Sequence, residues 1–129
     1  MRTRIAISLA LVAGFGLGAV TIQGLHAQAK PPVYYIGEID VHNVDAYLQD
    51  YAPKAQALIR SHGGRFVAVS NNPTPVEGTP PKSRVVIQQW DSMEKINAWR
   101  SSPEYKELRK IGDQHATFRA FAVPGLPQQ

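Results

Sequence analysis

The sequence predicts an α+β domain built in the order β-α-β-β-α-β, with a four-stranded antiparallel sheet. Four short segments alternate apolar and polar residues with a period of two, and two longer segments repeat apolar residues at helical spacing. Turn-forming glycine, proline and asparagine residues separate these segments. The 129 residues include no cysteine, which excludes disulfides, thiolate metal sites and cysteine nucleophiles. Packing alone must therefore stabilise the fold.

Residues 1–29 have the three parts of a secretory signal peptide. Two arginines form a positive start, residues 5–20 form an apolar run, and the segment Ala27–Ala29 has small residues at the spacing that a signal peptidase accepts. The apolar run is shorter than the about 20 residues that a membrane-spanning helix needs. We expect cleavage after Ala29, a periplasmic or secreted protein, and no membrane attachment after cleavage. An uncleaved N-terminal anchor is the alternative.

The formal net charge of +4 overstates the basic character of the mature chain. Arg2 and Arg4 belong to the signal peptide, so its removal lowers the formal charge to +2. This small charge gives little support to nucleic-acid binding. The sequence has no Walker loop, no dinucleotide-binding glycine signature and no pair of histidines at metal-ligand spacing. We therefore predict neither a metal site nor a cofactor.

The first strand is predicted at residues 33–41, after an extended spacer at residues 30–32. Asn43 is expected to cap the following helix, because its side chain can accept hydrogen bonds from the free backbone N–H groups. Pro53 should kink or split this helix. The helix should end at Gly63-Gly64, since glycine adopts the left-handed C-terminal conformation without a steric penalty.

The second strand is predicted at residues 65–70 and the third at residues 83–90. Residues 71–81 contain four prolines and should form an exposed loop. The spacing of Asp91 and Glu94 matches a capping box at the start of the next helix.

The second helix should restart at Ser102-Pro103, with the serine as cap and the proline as first helical residue. The last strand is predicted at residues 117–123. The whole order is the split βαβ arrangement of ferredoxin-like folds, in which both helices cover one face of the sheet. The domain should span residues 33–124, followed by a tail at residues 125–129. The pattern leaves open which residues of the second and fourth strands face the helices.

The face of the sheet without helices is predicted to mix aromatic and polar side chains. Tyr35 and Ile39 of the first strand, and Val85 and Ile87 of the third, are assigned to the helices. A sheet face in water should be mostly polar, and a large apolar patch needs cover. We therefore expect a homodimer that packs sheet on sheet, a small ligand in the gap, or both. By alternation the uncovered face carries Tyr34, Ile36, Glu38, Val86, Gln88 and Trp90, with Phe66, Ala68, Arg119 and Phe121 from the second and fourth strands.

Polar residues on this face are the candidate ligand contacts. Glu38, Gln88 and Arg119 would orient a small polar or aromatic ligand; the alternative is a polar network across the dimer interface. For Tyr105, the alternative to ligand binding is core packing. The predicted ligand-binding residues are Tyr34, Glu38, Gln88, Trp90, Tyr105 and Arg119.

The sequence assigns no catalytic residue. Glu38 and His115 are candidate proton carriers, and Arg119 would then stabilise developing negative charge. His115 could act in this way only if its side chain faces the ligand.

Short motifs in order along the chain resemble a known family. They are Gly63-Gly64-Arg65-Phe66, Glu77-Gly78, Trp99 and Ser102-Pro103-Glu104-Tyr105. Together they resemble the domain-of-unknown-function 1330 family over about residues 34–123. The resemblance implies the dimeric α/β-barrel superfamily, in which two ferredoxin-like subunits join sheet to sheet. That superfamily includes cofactor-independent oxygenases, isomerases and haem-degrading enzymes, and also members of no known activity.

The expectation is an exported, small, dimeric domain that binds a small molecule between its sheet and the partner subunit. The alternative implied by the resemblance is a cofactor-independent oxygenase or isomerase that acts on a small aromatic or carbonyl compound.

Overall fold

The computed structural model describes residues 30–127 and has the predicted α+β architecture. Four strands form one antiparallel sheet in the spatial order β2-β3-β1-β4. The predicted β-α-β-β-α-β order is confirmed, and the signal-peptide prediction for residues 1–29 lies outside the described residues. The strands are β1 (Val33–Val41), β2 (Arg65–Ser70), β3 (Arg84–Trp90) and β4 (Ala116–Pro124).

Two broken helices cover one face of the sheet. The first consists of α1 (Val44–Ala46), a π-helical turn (Tyr47–Tyr51) and α2 (Ala52–Ser61). The second consists of α3 (Met93–Ser101) and α4 (Pro103–His115). Within residues 30–127, no helix is both long and apolar enough to cross a membrane.

Two of the three predicted N-terminal helix caps are confirmed, and one is wrong. Asn43 and Ser102 accept backbone hydrogen bonds as predicted. At α3 the cap is Ser92, whose extended backbone lets its hydroxyl accept from the Lys95 N–H at 3.3 Å. The predicted capping role of Asp91 is therefore wrong. Its carboxylate accepts instead from the Lys95 ammonium at 3.1 Å on the surface.

The face of β3 that meets the helices is the opposite of the predicted one. Tyr35 pairs directly with Gln88, and directly paired residues point to the same face of a sheet. Tyr35 contacts the Trp99 ring of α3, so Gln88 also lies on the helix side. Trp90 follows in the same alternation and is only 1% exposed. The assignment of Val86, Gln88 and Trp90 to the uncovered face is therefore wrong, because the strand has apolar residues in both of its alternating sets.

Strand β2 changes face at a β-bulge. Phe66 pairs with Gln88 and packs against the core, so its assignment to the uncovered face is wrong. The register shifts between Phe66 and Ala68, and Ala68 then pairs with Ile87 on the uncovered face, as predicted. A bulge adds one residue to the strand, which a strict period of two does not anticipate.

Strand β4 follows the predicted alternation. Arg119 pairs with Glu38 and Phe121 with Ile36 across β1. Both therefore lie on the uncovered face, as expected.

An aromatic cluster around Trp99 joins the sheet to the helices. The Trp99 and Trp90 rings stack with centroids 5.2 Å apart. The rings of Tyr35 and Tyr105 meet Trp99 edge-on at 5.3 and 4.9 Å. Such pairs contribute about 0.5–1.5 kcal/mol each beyond their buried area.

Gly63 and Gly64 have different roles after α2. Gly63 takes the left-handed conformation that ends the helix, with φ at +98°. Gly64 lies against the core, where an added Cβ would be 2.5 Å from the Trp90 ring and 2.6 Å from Ile59. Gly63 thus ends the helix, and Gly64 lets the backbone pack closely against the Trp90 indole.

We predict that Gly64→Ala lowers the free energy of unfolding by about 1–3 kcal/mol, because the new methyl group overpacks the core at Trp90. Urea denaturation followed by far-UV circular dichroism measures this change. The same substitution in a Trp90→Phe background is the control, since the smaller ring removes the indole atoms that the methyl group would meet. An equal loss in both backgrounds would show that contact with Trp90 is not the cause.

Candidate functional site

A cavity of about 380 Å³ lies between the helix side of the sheet and the two broken helices. Strands β1, β3 and β4 form its floor, and residues from both helices form its roof. Small-molecule sites typically have volumes of about 300–1,000 Å³. The cavity is therefore large enough for a small organic molecule, and the chain forms it without a second subunit.

Small residues in the centre of the sheet leave this space open. Gly37 of β1 pairs with Ala120 of β4, and Tyr35 pairs with Ala122. Both alanines and Gly37 line the cavity. A Cβ on Gly37 would be 2.9 Å from a Val86 methyl carbon, so β1 and β3 admit no larger residue there without a shift. Because these side chains are short, they leave space between the sheet and the helices.

The π-helical turn places two phenol rings in the roof. Pro53 has no N–H to donate to the carbonyl four residues earlier, and its ring would clash with that carbonyl. The chain instead widens by one residue, and the Ala52 N–H donates to the Tyr47 carbonyl. Tyr47 and Tyr51 are both buried and line the cavity. The predicted break before Pro53 is confirmed, and it occurs at the cavity.

Helix α4 approaches the roof at Gly112. A Cβ at this position would lie 2.7 Å from the Tyr51 ring. The glycine thus lets α4 pack directly on the phenol.

Two guanidinium groups bind phenol oxygens at the cavity. Arg100 Nη1 donates to the Tyr35 hydroxyl, and Arg109 Nη1 donates to the Tyr105 hydroxyl, both at 2.8 Å. Arg109 Nε also donates to Asp113 at 2.7 Å. A phenol that accepts from a guanidinium keeps its own hydrogen for donation. These tyrosines can therefore donate to a ligand.

A third guanidinium, that of Arg84, begins β3 on the helix side. Its Nη1 donates to the Asn71 side-chain oxygen at 2.5 Å, and its central carbon lies 5.7 Å from the centroid of the Tyr47 ring. The residue is 6% exposed, and its Nε has no hydrogen-bond partner. No ion pair formed within residues 30–127 includes Arg84.

Burial keeps three of the cavity phenols, those of Tyr35, Tyr47 and Tyr51, protonated. It raises the pKa of Tyr51 well above its ordinary value, with the nearby phenols adding to the effect. Burial also raises the pKa of Tyr35 and Tyr47, although the guanidiniums of Arg100 and Arg84 oppose it. At neutral pH these groups are hydrogen-bond donors rather than anions.

The charge of the cavity lining is positive. Among residues 30–127, the charged residues that line it are all arginines: Arg84, Arg100, Arg109 and Arg119. Asp113 compensates Arg109 from outside the lining, and Arg119 is bound to Glu38.

The structure divides the predicted ligand-binding residues between the two faces of the sheet. Gln88 and Tyr105 line the cavity. Trp90 lies in the core beside them and donates from its indole nitrogen to the Gln88 side-chain oxygen at 2.8 Å. Tyr34 and Glu38 lie on the uncovered face. Arg119 is among the lining residues, but its side chain also lies on the uncovered face, where it is bound to Glu38.

On the uncovered face, two of the predicted ligand contacts pair with each other within the chain. Arg119 Nη1 donates to Glu38 Oε2 at 3.0 Å, and the Glu38 side chain is 19% exposed. Glu38 does not line the cavity. The other candidate proton carrier, His115, is the last residue of α4, and its backbone carbonyl accepts from the His42 N–H at 2.7 Å. His115 does not line the cavity either.

Sequence reasoning missed the π-turn tyrosines and the cavity arginines. One of them has a detectable signal, because Arg84 is in phase with Val86 and Trp90. A cation within an alternating set of buried apolar residues indicates a polar function for that face. The others come from helix positions whose neighbours only the packing reveals.

The fold and the cavity define a ferredoxin-like α+β domain with a pocket beneath its helices. A family model described as "Domain of unknown function (DUF1330)" matches residues 32–126. The chain therefore belongs to the DUF1330 family, as the resemblance predicted. None of the curated proteins compared matches the chain.

Three solved structures show the same fold at low sequence identity. A protein of unknown function from Rhodopseudomonas palustris has a TM-score of 0.62 and 17% identity, covering 85% of this chain and 94% of that one. SnoaB, a cofactor-independent oxygenase from Streptomyces nogalater, has a TM-score of 0.55 and 17% identity, covering 77% and 95%. A dimeric ferredoxin-like protein of unknown function from Bacteroides fragilis has a TM-score of 0.53 and 16% identity, covering 72% and 95%.

We predict that Tyr51 makes stability fall at alkaline pH. An unfolded tyrosine loses its proton near pH 10, whereas burial raises the pKa of Tyr51 in the folded chain. The contribution of this group to stability is full below about pH 9 and is lost progressively above about pH 10. Tyr51→Phe should show a smaller fall in the free energy of unfolding between about pH 8 and about pH 10.5, measured by urea denaturation. Equal falls in the variant and the unaltered protein would contradict the assignment.

Proposed function

We propose that the chain is an exported homodimeric protein that binds a small organic molecule in the cavity between its sheet and its helices. One observation carries the proposal: the guanidiniums of Arg84, Arg100 and Arg109, together with four phenols, converge on one cavity of suitable size. The signal-peptide pattern of residues 1–29 supports export to the periplasm or the medium. The proposed site differs from the sequence expectation, since it lies on the opposite face from the dimer contact.

The cavity lining has the composition of a small-molecule site. Aromatic and aliphatic side chains, such as Trp99, Ile96 and Phe118, can bury an apolar ligand. The hydroxyls of Tyr35 and Tyr105, held by guanidiniums, can donate hydrogen bonds and fix its orientation. A purely structural core would gain more from filling the space with apolar side chains, because cavities reduce stability.

We predict that Ala120→Phe abolishes small-molecule binding, because the ring occupies the floor of the cavity. The probes are cinnamate and its neutral analogue cinnamamide, and binding is measured by isothermal titration calorimetry. Ala57→Phe is the matched control, since it makes the same change on the exposed side of α2, outside the cavity lining. Failure of both probes to bind, or unchanged binding in Ala120→Phe, would refute the cavity as the site.

The homodimer proposal rests on the uncovered face and on the relatives. The structural neighbour from Bacteroides fragilis is dimeric. In this chain Ile36 and Ile87 pair in the middle of the uncovered face, and Phe121 and Val123 beside them are 44% and 45% exposed. A second copy would remove this apolar surface from water.

We predict that Ile87→Asp converts the dimer to a monomer, because it places a charge at the centre of the proposed contact. Sedimentation velocity measures the change in mass, and circular dichroism checks that the fold persists. Val76→Asp is the matched control, since this valine is 96% exposed in the loop between β2 and β3. A dimer that survives Ile87→Asp, or an unaltered protein that is monomeric, would rule out this interface.

A second candidate function is that of a cofactor-independent oxygenase or isomerase acting on a small aromatic or carbonyl compound. SnoaB, which shares the fold, is a cofactor-independent oxygenase. The observation that favours this candidate is the arginine-rich lining, because guanidiniums stabilise an enolate or phenolate oxygen. Glu38 and His115 lie away from the cavity, so a substrate that is already an anion fits this candidate best. Turnover of a hydroxyaromatic compound, rather than binding alone, would distinguish it.

A further inference from the structure

The guanidinium of Arg84 is a buried charge with an incomplete set of partners. Its polar contacts within residues 30–127 are neutral groups, the Asn71 side-chain oxygen and the nearby Tyr47 hydroxyl, and its Nε has no hydrogen-bond partner. An arginine remains protonated in proteins. Buried charges are normally paired, because an uncompensated charge in the interior is costly. None of the described residues, 30–127, forms an ion pair that would compensate this charge.

Arg84 and Arg109 lie at the same end of the cavity. Phe118, Ile39 and Arg84 are direct neighbours across β4, β1 and β3, in that order. The Arg109 guanidinium lies 3.9 Å from the centroid of the Phe118 ring. The two cations thus flank one row of the sheet, with Ile39 between them.

The two charges are compensated differently. Arg109 has a carboxylate partner in Asp113 at 2.7 Å. Arg84 takes part in no ion pair of residues 30–127. Arg100 also takes part in no ion pair of residues 30–127, but it is exposed to solvent, whereas Arg84 is buried. The buried positive charge left for a ligand is therefore that of Arg84.

The roof above this row supplies neutral donors. Tyr47 and Tyr51 pack on Phe118, with ring centroids 6.5 and 5.6 Å from it. Their pKa values are raised by burial, so their hydroxyls remain protonated at neutral pH. Guanidinium and phenol donors around one space suit a carboxylate, whose two oxygens can each accept several hydrogen bonds.

We infer that the cavity selects a monoanionic aromatic carboxylate and that Arg84 binds the carboxylate group. The apolar part of the ligand then lies towards the cluster of Tyr35, Ile96 and Trp99 at the other end of the lining. The inference rests on the proposed function, since it names the ligand class of the same cavity. It also explains why a cation begins β3 in phase with buried apolar residues.

The test compares cinnamate with cinnamamide, which have the same shape and differ in charge. The protein without its signal peptide should bind cinnamate at least about tenfold more tightly than cinnamamide. Arg84→Met should reduce this preference to near parity while cinnamamide binding persists. Arg84→Lys, which keeps the charge, should retain part of the preference. Arg60→Gln, which removes an exposed charge outside the cavity lining, should leave the preference unchanged.

A second measurement separates ligand binding from a structural role. If the role of Arg84 is to bind an anionic ligand, Arg84→Met should leave the ligand-free protein as stable as the unaltered protein or more stable. The reason is that an apolar side chain replaces an uncompensated charge. A large loss of stability, or failure to fold, would show that Arg84 serves the fold and would overturn the inference.

The failures of the two proposals are distinguishable. Equal affinity for both probes, with both blocked by Ala120→Phe, would overturn the inference and leave the cavity as a binding site. Failure of both probes to bind would overturn both proposals.

Discussion

Two groups of aromatic rings hold the helices away from the sheet, and the cavity depends on this separation. At one end Trp99 stacks on Trp90, and at the other Tyr51 packs on Phe118. Closely packed rings resist compression, so the helices cannot settle onto the sheet between them. The short side chains in the centre of β1 and β4 consequently leave a space rather than a thinner core. The cavity thus requires both the large aromatic rings at its two ends and the short side chains between them.

The same layer carries charge that a simple core would exclude. Phenols pack as apolar rings and still accept hydrogen bonds, so Tyr35 and Tyr105 hold the guanidiniums of Arg100 and Arg109 at the cavity. The other face of the sheet has a separate character, with an apolar surface around the Glu38–Arg119 ion pair. The proposed binding site and the proposed dimer contact therefore lie on different faces of the sheet, so a substitution at one should leave the other unchanged.

Much less of the site than of the fold could be predicted from the sequence. Of the expected ligand contacts, Gln88 and Tyr105 line the cavity, whereas Tyr34 and Glu38 lie on the opposite face. Tyr34 and Glu38 lie on the predicted face of β1, but the cavity lies on the other face of the sheet. Gln88 reaches the cavity because the phase of β3 is the opposite of the predicted one, and a shift of one residue moves every side chain of a strand to the other face. The arginines of α3 and α4 reach the cavity through packing between elements, which local spacing does not reveal.

Local chemistry in the sequence was sufficient to determine the order of the elements and several of their boundaries. The side-chain cap at Asn43 and the missing N–H of Pro53 act on residues within one helical turn. Their effects on the helix can therefore be predicted without a structure. Only the tertiary structure decided that Trp90 rather than Ile87 faces the helices, and with it the position of Arg84. Both alternating sets of β3 are apolar enough to be buried, and the choice between them is made by pairing with β1 and by contact with Trp99, residues distant along the chain.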